Sequence, residues 1–115
     1  MPLTENQTRE RIRELNDAFR KTLNPMLGKA LLTAGVSALP SDVRAMSIRK
    51  VATFDAFDGD NDPNGEHDFG SFELAGLKFF FKLDYYDRNL EFGSDDPADP
   101  MKTTRVLTIM LAEEY

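Results

Sequence analysis

Phe69-Gly70-Ser71-Phe72-Glu73-Leu74-Ala75-Gly76-Leu77-Lys78-Phe79-Phe80-Phe81-Lys82-Leu83-Asp84-Tyr85-Tyr86 is the stretch that decides the fold. Phe72 and Leu74 alternate with Ser71 and Glu73, Ala75-Gly76 interrupts, and Phe79, Phe81, Leu83 and Tyr85 then alternate with Lys78, Phe80, Lys82 and Asp84. A side-chain period of two on both sides of a two-residue turn predicts a β-hairpin over about residues 69–86. Phe79, Phe81, Leu83 and Tyr85 are assigned to the core. Phe80 and Tyr86 fall on the opposite face and are too aromatic for a surface turned wholly to water. Either a helix covers that face or an aromatic patch lies open there. Leu90 and Phe92 suggest a short further strand.

Helical patterns flank the hairpin. Ile12, Leu15, Phe19 and Leu23 share one face of a helix over residues 5–23. Thr4 and Gln7 have capping-box spacing at its start, and Asn24-Pro25 ends it, because a residue before proline avoids helical angles. Its basic residues, Arg9, Arg11, Arg13, Arg20 and Lys21, are interleaved with Glu10, Glu14 and Asp17 and read as a solvated face, with Asp17 and Lys21 at i,i+4. The short apolar run Ala30-Leu31-Leu32-Thr33-Ala34 suits a buried strand. A second helix is expected from Pro40 to Phe54, with Asp42 near the positive end of its dipole. Asp99-Pro100 resembles a cap followed by a first helical residue, so residues 104–115 are expected to be helical, although Val106, Thr108 and Ile109 also suit a strand. The sum is α+β: a small antiparallel sheet packed against two or three helices, in one domain spanning residues 1–115.

Composition narrows the classes of function. A chain of 115 residues with 41% hydrophobic and 30% charged residues is globular in balance. The absence of cysteine removes disulfides, thiolate nucleophiles and cysteine-type zinc or iron–sulfur sites. No stretch resembles a secretory leader or a run of ~20 apolar residues, so the expected location is the cytoplasm, with no membrane partner. The net charge of −6 is unevenly spread. Residues 1–50 hold nine Lys/Arg and five Asp/Glu, giving +4, while residues 51–115 hold five and fifteen, giving −10. The second half should repel nucleic acid and attract a protein with a basic surface or a cation.

Four strings share a resemblance: Phe54-Asp55-Ala56-Phe57, Gly65-Glu66-His67-Asp68-Phe69-Gly70, Asp84-Tyr85-Tyr86-Asp87 and Arg105-Val106-Leu107-Thr108-Ile109-Met110-Leu111-Ala112. In this order they resemble an uncharacterised family of short bacterial proteins, mainly alphaproteobacterial and often encoded on plasmids or other mobile elements. The resemblance covers roughly residues 10–115. It implies a bacterial cytoplasmic origin and supplies no activity, substrate or catalytic residue.

The chemistry-bearing segment is the acidic loop at 55–68, with six carboxylates and no basic residue. Asp60-x-Asp62-x-Asn64-Gly65 reproduces the first half of a calcium-loop pattern, and Asp68 falls at its ninth position. Ser71 stands where the bidentate glutamate belongs, so the expectation is a looser divalent-cation site through Asp60, Asp62, Asn64 and Asp68. His67 is the only histidine, and any histidine-dependent catalysis, such as metal-assisted hydrolysis with Mn²⁺, Fe²⁺ or Zn²⁺, must pass through it. Adjacent residues of a strand point to opposite faces, so Glu66, His67 and Asp68 cannot all converge if a strand begins there. The leading expectation is a non-enzymatic binding protein that needs no cofactor. Its partner-binding residues would be Asp58, Asp60, Asp62, Glu66, His67, Asp95, Asp96 and Asp99. One version is an inhibitor of a nucleic-acid-binding defence protein that imitates spaced phosphates.

Overall fold

The computed structural model describes residues 2–115. In chain order the elements are α1 (Glu5–Thr22), β1 (Gly28–Leu32), α2 (Ala34–Ser37), α3 (Ser41–Thr53), β2 (Phe69–Leu74), β3 (Leu77–Tyr86) and β4 (Thr104–Leu111), followed by a 3-10 turn, Ala112–Glu114. The fold class is the expected α+β. The strands form one sheet in the order β1-β4-β3-β2.

The hairpin forms as its alternation requires, with Phe72 opposite Phe79 and Gly70 opposite Phe81 in antiparallel register. Ala75 and Gly76 both take positive φ, 54° and 77°, as a tight hairpin turn demands. Gly70 is fixed by space rather than by torsion, since a Cβ there would lie 2.4 Å from the Phe81 ring. α1 starts with the expected capping box: Gln7 N–H donates to Thr4 Oγ1 at 3.1 Å and Thr4 N–H to Gln7 Oε1 at 2.9 Å. It closes at Leu23, in the left-handed region at φ 52°.

Three expectations are corrected. Residues 104–111 are a strand, not a helix. β4 lies between β1 and β3, and Val106, Leu107, Ile109, Met110 and Leu111 are all buried. An interior strand reads as a continuous apolar run, which erases the alternation that would have marked it. Asp99 accordingly caps no helix; its Oδ1 accepts the Met101 N–H at 2.9 Å in a local turn. The apolar run near residue 30 is a strand, but an edge strand, paired only with β4 and in parallel, so the sheet is mixed and Leu31 is 52% exposed. Third, Leu90 and Phe92 add no strand: only an isolated bridge joins Gly93 to Tyr86, and Phe92 is exposed.

Register sorts the sheet into two faces. Phe79, Phe81, Leu83, Leu107, Ile109 and Leu111 face inward and share one core with Phe19 of α1, Val36 of α2 and Val51 of α3. All three helices therefore cover the same face. The outer face carries Phe80, Lys82, Asp84 and Tyr86 of β3, Val106, Thr108 and Met110 of β4, and Leu31 of β1. No helix of the described residues lies on it. Phe80 is partly shielded by Phe69, Tyr115 and Lys78, at 5.1, 5.5 and 5.4 Å from its ring centroid. Tyr86 and Leu31 stay open beside a groove of about 480 Å³ lined with Val106, Thr108 and Leu90. No described helix is long and apolar enough to cross a membrane.

Candidate functional site

The acidic loop folds around its own backbone. Asp58 Oδ1 accepts the N–H groups of Asp60 and Asn61 at 2.9 and 3.0 Å. Asp62 turns inward; it is 9% exposed, and its Oδ1 accepts the N–H groups of Glu66 and His67 at 2.9 and 3.0 Å. These two bonds hold His67 in the left-handed region at φ 57°, where histidine is among the tolerated residues. The left-handed residue splays its neighbours. Glu66 reaches Tyr85, His67 reaches Asp17 of α1, and Asp68 stays near the sheet, where its C=O accepts the Leu83 N–H at 2.9 Å.

Of the proposed partner-binding residues, Asp58, Asp60 and Asp95 are exposed, Glu66, His67, Asp96 and Asp99 are half-buried, and Asp62 is enclosed. Among the described residues none of Asp58, Asp60, Asp95, Asp96 or Asp99 is ion-paired with a Lys or Arg. No three His, Asp or Glu side chains of the described residues come together in an arrangement that could hold a metal ion. Within the loop, His67 Nε2 lies 3.8 Å from Asp62 Oδ2, a pair that offers two ligands. Asn64 is exposed, in a turn that the Gly65 N–H closes by donating to the Asp62 carbonyl at 3.1 Å.

What the loop does build is a polar layer against α1. His67 Nδ1 lies 2.9 and 3.1 Å from the two Asp17 oxygens. A carboxylate can only accept, so Nδ1 carries a proton. The imidazole stacks on Phe57 at 3.9 Å and an interplanar angle of 3°. Asp17 also accepts from Arg20 Nη2 at 3.0 Å, in place of the expected Lys21 pair. Arg20, expected on a solvated face, is 2% exposed, and its Nη1 donates to the Val51 and Phe54 carbonyls at 2.6 and 2.9 Å. It thereby supplies a donor to the Phe54 carbonyl and a second donor to the Val51 carbonyl, which also accepts the Phe54 N–H at 3.4 Å.

The adjoining half of the layer centres on Asn16, which is fully buried. Its amide donates to the Glu66 carbonyl at 3.0 Å and to Tyr85 Oη at 2.8 Å, and its oxygen accepts from Arg105 Nε at 2.8 Å. Tyr85 in turn donates to Glu66 Oε1 at 2.7 Å. Burial first, and that bond second, push the Tyr85 phenol far above its ordinary range. The Arg105 guanidinium sits 5.4 Å from the Tyr85 ring centroid, and burial lowers its pKa. The sequence missed Asn16, Asp17, Arg20, Tyr85 and Arg105 as a cluster. One signal was present: Asn16 and Arg20 continue the helical stripe of Ile12, Phe19 and Leu23, where a polar residue has to find buried partners.

The four strings that carry the family resemblance are joined by these contacts. Phe57 of the first stacks on His67 of the second, Glu66 of the second binds Tyr85 of the third, and Tyr85 lies against Arg105 of the fourth. A family model described as "Protein of unknown function (DUF3768)" matches residues 32–114. The chain belongs to the DUF3768 family. No curated protein and no solved structure matches it. The DUF3768 match begins at Leu32, so α1, which supplies Asn16, Asp17 and Arg20, lies outside the matched segment.

Asp68 gives this DUF3768 chain a testable pH dependence. Its carboxyl is raised from 3.8, mainly by burial and next by Glu66. A raised carboxyl holds its proton more tightly folded than unfolded, so stability falls as pH rises from 3.8 through the folded pKa and is level above it. Asp68→Asn should therefore raise the urea midpoint at pH 7, and the gain should shrink towards nothing as the pH approaches 3.8. Equilibrium unfolding of both proteins across that range checks it; a lower midpoint at neutral pH contradicts it.

Proposed function

We propose that the protein is a non-enzymatic binding module whose partner is a protein with apolar side chains set in a basic surface. The observation that carries this is the uncovered outer face of the sheet. Its groove exposes Leu31, Tyr86 and Leu90, and a sheet face of this kind in a small domain gains from being covered. Charge supports the sign of the partner. The segment that supplies Leu90 also carries Asp87, Glu91, Asp95, Asp96 and Asp99, and residues 51–115 sum to −10. The groove itself is lined by Lys29, Lys82 and Asp84, so it is this acidic segment beside it that steers a basic protein and rejects nucleic acid.

The inhibitor version, in which carboxylates imitate phosphates on a nucleic-acid-binding defence protein, is supported by exposed, unpaired Asp58, Asp60 and Asp95. Asp62 contributes little to it, because its oxygen is occupied by backbone N–H groups. The test is native mass spectrometry of protein drawn from its host at low salt, beside Leu31→Asp and Tyr86→Asp variants of unchanged thermal stability. A stoichiometric protein partner that both variants lose, and that raised salt weakens, is the expected result. A partner retained by both variants, or a chain that remains alone at host concentrations, overturns the proposal.

A further inference from the structure

A second cleft has a composition unlike the rest of this acidic chain. It encloses about 230 Å³ beside the start of β4 and is lined by Lys29, Arg88 and Arg105 with no Asp or Glu. Leu15, Met26, Leu27 and Leu90 form its apolar wall.

Arg105 is 2% exposed, and among the described residues no carboxylate lies within 4.0 Å of it. Its Nε donates to Asn16 Oδ1 and its Nη2 to the Pro97 carbonyl, both neutral acceptors. Nη1 has no hydrogen-bond partner among the described residues, yet it is not one of the fully enclosed orphan atoms, so it reaches accessible space. The charge of Arg11 bears unfavourably on the same guanidinium, and the Glu66 carboxylate, beyond direct contact, bears favourably on it. An arginine stays charged in a protein, and a buried cation whose direct partners are all neutral lacks the contacting counter-charge that normally offsets its desolvation. Lys29 and Arg88 are exposed, so this counter-charge can enter from solvent.

We propose that this cleft binds a small anion carrying an apolar group, a carboxylate or a phosphate monoester. Arg105 Nη1 takes the anionic oxygen, Lys29 and Arg88 flank it, and Met26, Leu27 and Leu90 hold the apolar part. The cleft lies below the roughly 300 Å³ typical of drug-sized ligands, which limits the occupant to metabolite size. This site is distinct in chemistry from the protein-docking groove, although Lys29 and Leu90 border both.

The test is amide NMR titration of the whole chain with phenyl phosphate, inorganic phosphate and phenol. Phenyl phosphate is expected to shift the amides of Gly28, Lys29 and Arg105 with a dissociation constant near or below about 1 mM. Inorganic phosphate should bind more weakly and phenol should leave these amides unmoved. Arg105→Met should abolish binding. Because that change also strips bonds from Asn16, Lys29→Gln/Arg88→Gln, both exposed, is the second variant and should weaken binding at least about tenfold. Leu31→Asp, in the groove alone, should leave it unchanged. No shifts at roughly 10 mM phenyl phosphate, ten times a millimolar Kd, would overturn the proposal. So would equal binding by phenol or undiminished affinity in the double variant.

Discussion

Arg20→Leu is expected to remove about 3 kcal/mol of stability, read as a fall in the urea midpoint at unchanged slope. The side chain is 2% exposed and joins two helices: Nη1 reaches Val51 and Phe54 of the α3 end, and Nη2 reaches Asp17 of its own helix. Leucine keeps much of the volume but leaves the Phe54 carbonyl without its donor, the Val51 carbonyl with the Phe54 N–H only, and Asp17 with His67 alone. Breaking a buried ion pair costs about 3–5 kcal/mol. The lower end applies because Asp17 keeps 24% exposure and the Arg20 Nε finds no acceptor among the described residues. Against a typical domain stability of about 5–15 kcal/mol, this is a large fraction. Lysine should fare little better, since one ammonium lacks the planar fork that spans Asp17 and the carbonyls. A variant within about 0.5 kcal/mol of the parent would mean the pair contributes nothing.

Asn16→Leu is the second large effect, expected at about 2–4 kcal/mol. It orphans three groups at once: the Arg105 Nε–H, the Glu66 carbonyl and one acceptor site on Tyr85. Tyr85→Phe should cost less, about 1–1.5 kcal/mol, because it removes the phenol bonds and spares the Arg105 contact. The double variant should fall short of the sum by more than about 0.5 kcal/mol, the mark of residues sharing one network. Strict additivity would show that the two act separately.

The legible parts of this sequence were those where a local rule had no competitor. Thr4 with Gln7 fixed where α1 begins, Asn24-Pro25 where it ends, and the Phe79–Tyr85 alternation named the inner face of β3. β4 was misread because Asp99-Pro100 carries the chemistry of a helix start, while Val106 and Met110 of its outer face are buried as well as Leu107, Ile109 and Leu111 of its inner face, which removes the alternation. The parallel partnership of β1 is set by pairing with residues 105–109, more than seventy positions away, which no local pattern records. In the site, the loop acids were visible but their orientation was not. Whether Asp62 faces water depends on the backbone N–H groups of residues 66 and 67, and whether His67 has a partner depends on Asp17, fifty residues earlier.

The place of β4 has a consequence for biosynthesis. On the ribosome, β1 and the β2–β3 hairpin emerge well before residues 104–111, yet neither can be joined to the other without them. The nascent chain must hold its phenylalanine-rich hairpin and an unsatisfied strand apart until the last strand leaves the exit tunnel. Completion of the sheet then waits on β4, and until it pairs the apolar hairpin and the edge of β1 stay exposed to unwanted association.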